Sequence, residues 1–223
     1  MADTLKSKYS TEASANTTEN ISDAVGSSEV DTILSVSICN SHASTDTTFK
    51  MWIDGTTPNE DAYIYYNQSL PAKGTFIHNS KIVLKEDDVL KFQTTAAVSC
   101  QIITSYLHQT AVATSSGSDY LDRFIHYQTG SSQSFVITPN NTNDIVTVLS
   151  VTVCNQSTTA TDFDLRINHS GSETLIYQDQ SLPGEATFEH SDKIIVGAQD
   201  EVCIDQSGSV NMSVVCSFLR QVP

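Results

Sequence analysis

Leu34-Ser35-Val36-Ser37-Ile38-Cys39-Asn40 and Leu149-Ser150-Val151-Thr152-Val153-Cys154-Asn155 are two near-copies of one segment. Each alternates apolar with small polar residues at period two, the pattern of a strand with one buried face. Two copies in one chain point to an internal repeat, and a repeat sets the architecture before any single motif does.

From Ser69 onward the match continues without gaps. Ser69-Leu70-Pro71 returns as Ser181-Leu182-Pro183, a shift of 112, and Thr75-Phe76, His78, Lys81-Ile82 and Asp88 return at the same shift. Ser105-Tyr106-Leu107 returns as Ser217-Phe218-Leu219. Upstream the shift grows to 114 at Phe49/Phe163 and 115 at Leu34/Leu149. The length changes fall after Asn40 and after Asp54, in loops, where a repeat tolerates them.

Within the first copy short alternating runs are broken by turn residues. Phe49, Met51 and Ile53 alternate before Asp54-Gly55, and Tyr63 to Tyr66 precede Leu70-Pro71. Runs at 75–77, 81–84, 89–92 and 98–107 complete about seven strands, and no segment holds a helical period for three turns. The expected fold is all-β, with two tandem antiparallel Ig-like or jelly-roll β-sandwich domains related by an internal duplication. Residues 31–108 form the first sandwich and 135–223 the second. Residues 109–134 are a linker and lead-in, with an aromatic stretch at 119–129 and a strand near 134–138. Residues 1–30 are polar and read as an extended arm that orders by adding a strand to a partner.

The cores should hold Val36, Ile38, Phe49, Met51, Ile53, Phe76, Ile82, Leu90, Val98 and Ile102. Their counterparts are Val151, Val153, Phe163, Leu165, Ile167, Phe188, Ile194, Val202, Val210 and Val214.

Eleven Lys and Arg against 26 Asp and Glu leave a net charge of -15. That field disfavours nucleic acid and anionic membrane surfaces as partners. The N-terminal residues lack the apolar core of a signal peptide, and no run is long enough to span a bilayer, so synthesis in a reducing cytosol is expected.

No catalytic, cofactor or metal residues are expected. His78 and His190 recur, each in a turn and without a second ligand at metal spacing, and read as caps on local backbone. The acidic turns at Asp88 and Asp200 lack the spacing of a calcium loop, and these aspartates should bond their own turns. No G-x-S-x-G elbow and no phosphate-cradling loop is present, so the chain does not read as an enzyme. Tyr65 keeps its counterpart Tyr177 and reads as core, whereas Tyr63 and Tyr66 are replaced by Leu175 and Gln178. Exposed aromatics of that kind support an alternative, a host-surface glycan-binding adhesion module.

The strand ending VCN, the SLP turn, the Lys-Ile segment, the acidic turn before Asp88 and Asp200, and the closing Ser-Tyr/Phe-Leu together resemble a family of virion structural proteins. Those proteins are duplicated β-sandwiches of tailed bacteriophages, of the cyanophage and marine-phage type. The resemblance covers about 33–107 and 147–219, and departs from the family's Gly-Asp turn with Asp87-Asp88 and Gln199-Asp200. It implies a non-enzymatic head-decoration, neck or tail-attachment component in the virion, synthesised in the host cytoplasm. By the same resemblance its partners are other virion proteins and further copies of itself.

Five cysteines, an odd number with no CxxC pair, are expected to be free thiols. Intact-mass spectrometry of the unreduced protein should find all five reduced; a stable Cys–Cys crosslink overturns the reading.

Overall fold

Both LSV-CN segments lie in long strands at the heart of a sheet. The structure, a computed structural model, describes residues 2–55, 61–110, 119–128, 134–137, 143–169, 171–197 and 200–222. The chain divides into two units, Met1–Val112 and Ala113–Pro223.

In the first unit the strands are β1 (Ala2–Glu12), β2 (Glu19–Asn20), β3 (Glu29–Asn40), β4 (Thr47–Asp54), β5 (Ala62–Leu70), β6 (Thr75–His78), β7 (Ile82–Leu84), β8 (Val89–Thr94) and β9 (Cys100–Thr110). One sheet runs β1-β9-β3-β6, with β7 also on β3; the other runs β2-β8-β4-β5. In the second unit they are β10 (Tyr120–Gln128), β11 (Ser134–Ile137), β12 (Ile145–Asn155), β13 (Thr161–His169), β14 (Ser172–Leu182), β15 (Thr187–His190), β16 (Ile194–Val196), β17 (Asp200–Gln206) and β18 (Met212–Gln221). Its sheets run β10-β18-β12-β15, with β16 on β12, and β11-β17-β13-β14. The two units share one pairing order, strand for strand.

Each unit is an antiparallel sandwich. Phe49 of β4 meets Phe76 of β6 at 5.1 Å between ring centroids, across the two sheets of the first unit. In the second unit Val151 and Val153 of β12, Phe163 of β13, Val202 of β17 and Val214 of β18 fall in one buried cluster. Of the expected core residues all are buried except Phe76, Ile167 and Phe188, which are half-buried. Phe76 and Phe188 sit on four-residue strands at the end of a sheet, with a neighbour on one side only.

The repeated motifs acquire a physical reason. Leu34 is an extra residue in the β3–β9 ladder, where register shifts between Ile33 and Ser35. Leu149 is the same bulge in β12, between Val148 and Ser150. On one side of the bulge β3 pairs with β7, on the other with β6; β12 divides in the same way between β16 and β15. The closing asparagine is a buried brace. Asn40 Nδ2 donates to Thr45 O at 2.9 Å and Leu70 O at 3.4 Å, and its Oδ1 accepts from His42 N at 3.0 Å. Asn155 Nδ2 donates to Thr159 O, Leu182 O and Pro183 O, and its Oδ1 accepts from Ser157 N. VCN and SLP recur together because the side chain of one holds the backbone of the other.

The turn after SLP is built alike in both units. Gly74 N donates to Pro71 O and Ala186 N to Pro183 O, with Lys73 and Glu185 in the left-handed region at φ 58° and 60°.

The extended arm expected at residues 1–30 is corrected by the structure. β1 pairs with β9 of its own unit along its whole length, from Ala2 opposite Thr110 to Glu12 opposite Cys100, and β2 pairs with β8. Lys8, opposite the buried Thr104, sends its Nζ to Ser22 O and Asp23 Oδ1, each at 2.9 Å. Main-chain hydrogen bonds hold the strand, and a polar composition does not reveal them. The lead-in likewise supplies β10, on β18, and β11, on β17. Residues 111–118 and 129–133 of the expected linker lie outside the described residues.

Asn40→Ala should strip the loop and the SLP turn of their buried donor and lower the stability of the first unit by about 2–3 kcal/mol. Denaturant titration checks this; a loss below about 0.5 kcal/mol would show that the brace is redundant.

Candidate interaction surfaces

The recurring histidines are buried in the core, each beside a tyrosine hydroxyl. His78, at the end of β6, is 1% exposed, and its Nδ1 lies 2.9 Å from Tyr65 Oη; His190 lies 3.3 Å from Tyr177 Oη. The rings form one cluster in each unit. Tyr65 is edge-on to both Phe76 and His78, and Tyr177 is edge-on to both Phe188 and His190. This arrangement joins sheet to sheet. Among the described residues no group of three His, Cys, Asp or Glu is placed to hold a metal.

The acidic turns behave as the sequence implies. Asp88 Oδ2 accepts from Lys85 N at 2.7 Å, and Asp200 Oδ2 accepts from Gly197 N at 3.3 Å. Asp200 also pairs with His169 across β13 and β17. That bond, with the Gly197 amide, holds the Asp200 carboxyl below its ordinary value. Gln199, where the turn departs from Gly-Asp, lies outside the described residues.

The outer faces of the four-stranded sheets differ between the units. In the first, Trp52 of β4 stands opposite Tyr63 of β5, with centroids 5.6 Å apart, and Tyr63 meets Tyr66 edge-on at 5.2 Å. Lys50 Nζ sits 4.3 Å from the Tyr66 ring centre, and Lys91 pairs with Asp54. Burial, followed by the Asp54 charge, pushes the Asp61 carboxyl upward, and Asp61 hydrogen-bonds Trp52. The rings are tilted or edge-on, and Trp52 is 6% exposed, so they pack mainly on one another.

In the second unit the same places hold Arg166, Leu175 and Gln178. Arg166 is clamped between Asp205 Oδ2 at 2.6 Å and Glu173 Oε1 at 2.8 Å, and Asn168 donates to Glu201. A small hollow of about 150 Å³ nearby is lined by Asp164, Asp179 and Asp205. Two of its carboxylates are engaged: Asp164 accepts from Asp179 N, and Asp205 holds Arg166. Tyr63 and Tyr66 thus belong to a surface peculiar to the first unit. The ionic network at the equivalent place in the second unit is not legible in the sequence, because Arg166 reaches acids on two neighbouring strands that only the ladder brings together.

All five cysteines are free. Burial pushes the Cys100 thiol up to about 11 and raises Cys203 and Cys216, which keeps these sulfurs protonated and unreactive.

No protein-family model matches the chain. No curated protein matches it. Among solved structures, it is similar to the major capsid protein of bacteriophage PM2, at 8% identity and a TM-score of 0.36, over 98% of each chain. A chain from Sulfolobus turreted icosahedral virus aligns at 12% identity and a TM-score of 0.28. That alignment covers 99% of this chain and 58% of the length of the virus chain. The N-terminal CBM22-1-CBM22-2 tandem domain of Paenibacillus barcinonensis Xyn10C aligns at 10% identity and a TM-score of 0.29, over 97% and 92% of the two chains.

A lowered carboxyl contributes stability above its ordinary value of 3.8 and loses that contribution as pH falls through the folded-state value. His169→Ala should move the Asp200 midpoint up toward 3.8 in an NMR titration of side-chain carboxyls. An unchanged Asp200 midpoint would show that His169 does not hold it.

Proposed function

We propose that this chain is a non-enzymatic structural protein of a tailed-phage virion, acting as a head-decoration, neck or tail-attachment component. The observation that carries the reading is the repeat itself: two sandwiches of identical pairing order stand in one chain, each bounded by edge strands. Two linked modules raise each other's effective concentration at neighbouring sites, so modest contacts add to firm attachment. The VCN, SLP and Ser-Tyr/Phe-Leu motifs that carry the sequence resemblance are the parts that brace these sandwiches. We read the second sandwich as a duplicate of the first that has since changed its surface.

A second reading, adhesion to host-surface glycans, rests on the Trp52–Tyr63–Tyr66 cluster with Lys50 beside it. Its tilted rings offer no flat stacking platform, which makes it the weaker of the two.

The test is mass spectrometry and cryo-EM of purified virions from a phage that encodes the chain. The chain should be found at fixed stoichiometry in head, neck or tail, and its absence from purified virions overturns the proposal. A glycan array on the purified protein separates the second reading: binding lost in both Tyr63→Ala and Tyr66→Ala would favour it.

A further inference from the structure

The outer face of the five-stranded sheet in the first unit is unlike any other exposed sheet surface described. One row crosses all four main strands: Tyr9 stands opposite Ile103, Ile103 opposite Ser37, and Ser37 opposite Ile77. Tyr9 is 74%, Ile77 57% and Ile103 42% exposed, and Leu5 further along β1 is 75% exposed. The flanking rows are Ser, Thr, Gln and Cys, with no charged side chain. A shallow hollow of about 230 Å³ beside the row is lined by Tyr9, Ser37, Cys39, Gln101 and Ile103.

Strand β1 is turned inside out. The side chains it sets on the core face of the sheet include Lys6, Lys8, Ser10 and Glu12, whereas its large apolar groups, Leu5 and Tyr9, face outward. An edge strand that serves only its own sandwich has the opposite pattern. Inward lysines blunt strand-to-strand addition at that edge, so the apolar face, not the edge, is what β1 offers.

The second unit supplies a comparison. Its equivalent row is Ile125, Val215, Thr152 and Glu189. There Val215 and Thr152 are each 2% exposed, and Cys154, Ser213 and Ser217 are fully buried. The corresponding row is therefore largely buried in the second unit, while in the first it carries larger apolar groups and is exposed; Thr32 and Val83, further along the same face of the first unit, are buried.

Charge selects the occupant. A chain of net charge -15 repels its own copies wherever acidic surfaces approach. The neutral rows around Tyr9, Ile77 and Ile103 are where two copies meet without that cost. A flat sheet face can also meet itself about a two-fold axis, so one patch supplies both sides. Four strands about 4.8 Å apart and about seven residues long, at about 3.3 Å per residue, cover on the order of 450 Å². That is roughly half the area per partner of a standard stable interface, so an isolated pair associates weakly.

We propose that two copies of this chain pack through the outer faces of their first five-stranded sheets, with Tyr9, Ile77 and Ile103 at the centre. The proposal deepens the virion reading but is separable from it, because self-association is read on the purified chain.

The test is sedimentation velocity of the full-length protein from micromolar to near-millimolar concentration. The wild type should pass from monomer to dimer within that range. Ile77→Glu and Ile103→Glu should each raise the midpoint at least tenfold while keeping the wild-type circular dichroism and melting curve. Tyr9→Ser, which adds no charge, should raise it less. Ile195→Glu, at a 70% exposed position of the second unit, should leave it unchanged. A wild type that stays monomeric throughout, or a midpoint indifferent to both glutamate variants, overturns the proposal. A monomeric wild type whose Ile103→Glu variant is lost from particles would assign the face to a different virion protein, which also overturns it.

Discussion

The hydrogen bonds of Asn40 and Asn155 are the constraint on which each sandwich depends. Each amide is fully buried at the end of the long strand β3 or β12 and reaches both the following loop and the turn after β5 or β14. A buried carbonyl left without a donor is costly, so these loops have few alternatives once the asparagine is in place. The brace sets where β4 begins relative to β3, and where the chain turns toward β6. Aspartate, with no N–H to donate, cannot replace it, and glutamine places the amide one methylene too far out.

The legible and illegible parts of the fold divide along physical lines. Period-two alternation located the central strands because side-chain burial drives them: Val36 and Ile38 inward, Ser35 and Ser37 outward. Asp88 and Asp200 were legible as turn residues because their partners are three positions away in sequence. β1 was not legible, because its pairing rests on main-chain groups that every residue carries. The tyrosine bonds of His78 and His190 were not legible for a related reason. Their tyrosine partners lie 13 residues upstream on another strand, and a short-range reading offers only local backbone. The Arg166 clamp and the outward turn of Leu5 and Tyr9 became visible only once register was known.

The two units agree inside and differ outside. The Asn braces, the bulges at Leu34 and Leu149, the left-handed Lys73 and Glu185, and the Tyr–His–Phe clusters recur at equivalent places. The outer sheet faces do not: aromatic against ionic on the four-stranded sheets, and exposed apolar groups against buried small ones along the central row of the five-stranded sheets. A packed core tolerates few changes in side-chain volume, whereas a solvated face tolerates many. Differences on the faces are therefore where distinct tasks of the two units are recorded.

The position of β9 has a consequence for the order of events during synthesis. β9 is the last strand of its unit, yet it lies between β1 and β3 at the centre of the large sheet. Val36 meets Thr104, 68 residues later, and Ser7 meets Ser105 across nearly the whole unit. Neither ladder can close until β9 has left the ribosome, and such distant pairings fold slowly. β1 must wait without its partner, and β3 with one edge unpaired beside β6 and β7, until β9 is made. The second unit repeats the delay with β18, ten residues long and ending at Gln221. Folding therefore proceeds in two separate completions, and the first sandwich can close before the second has all of its strands.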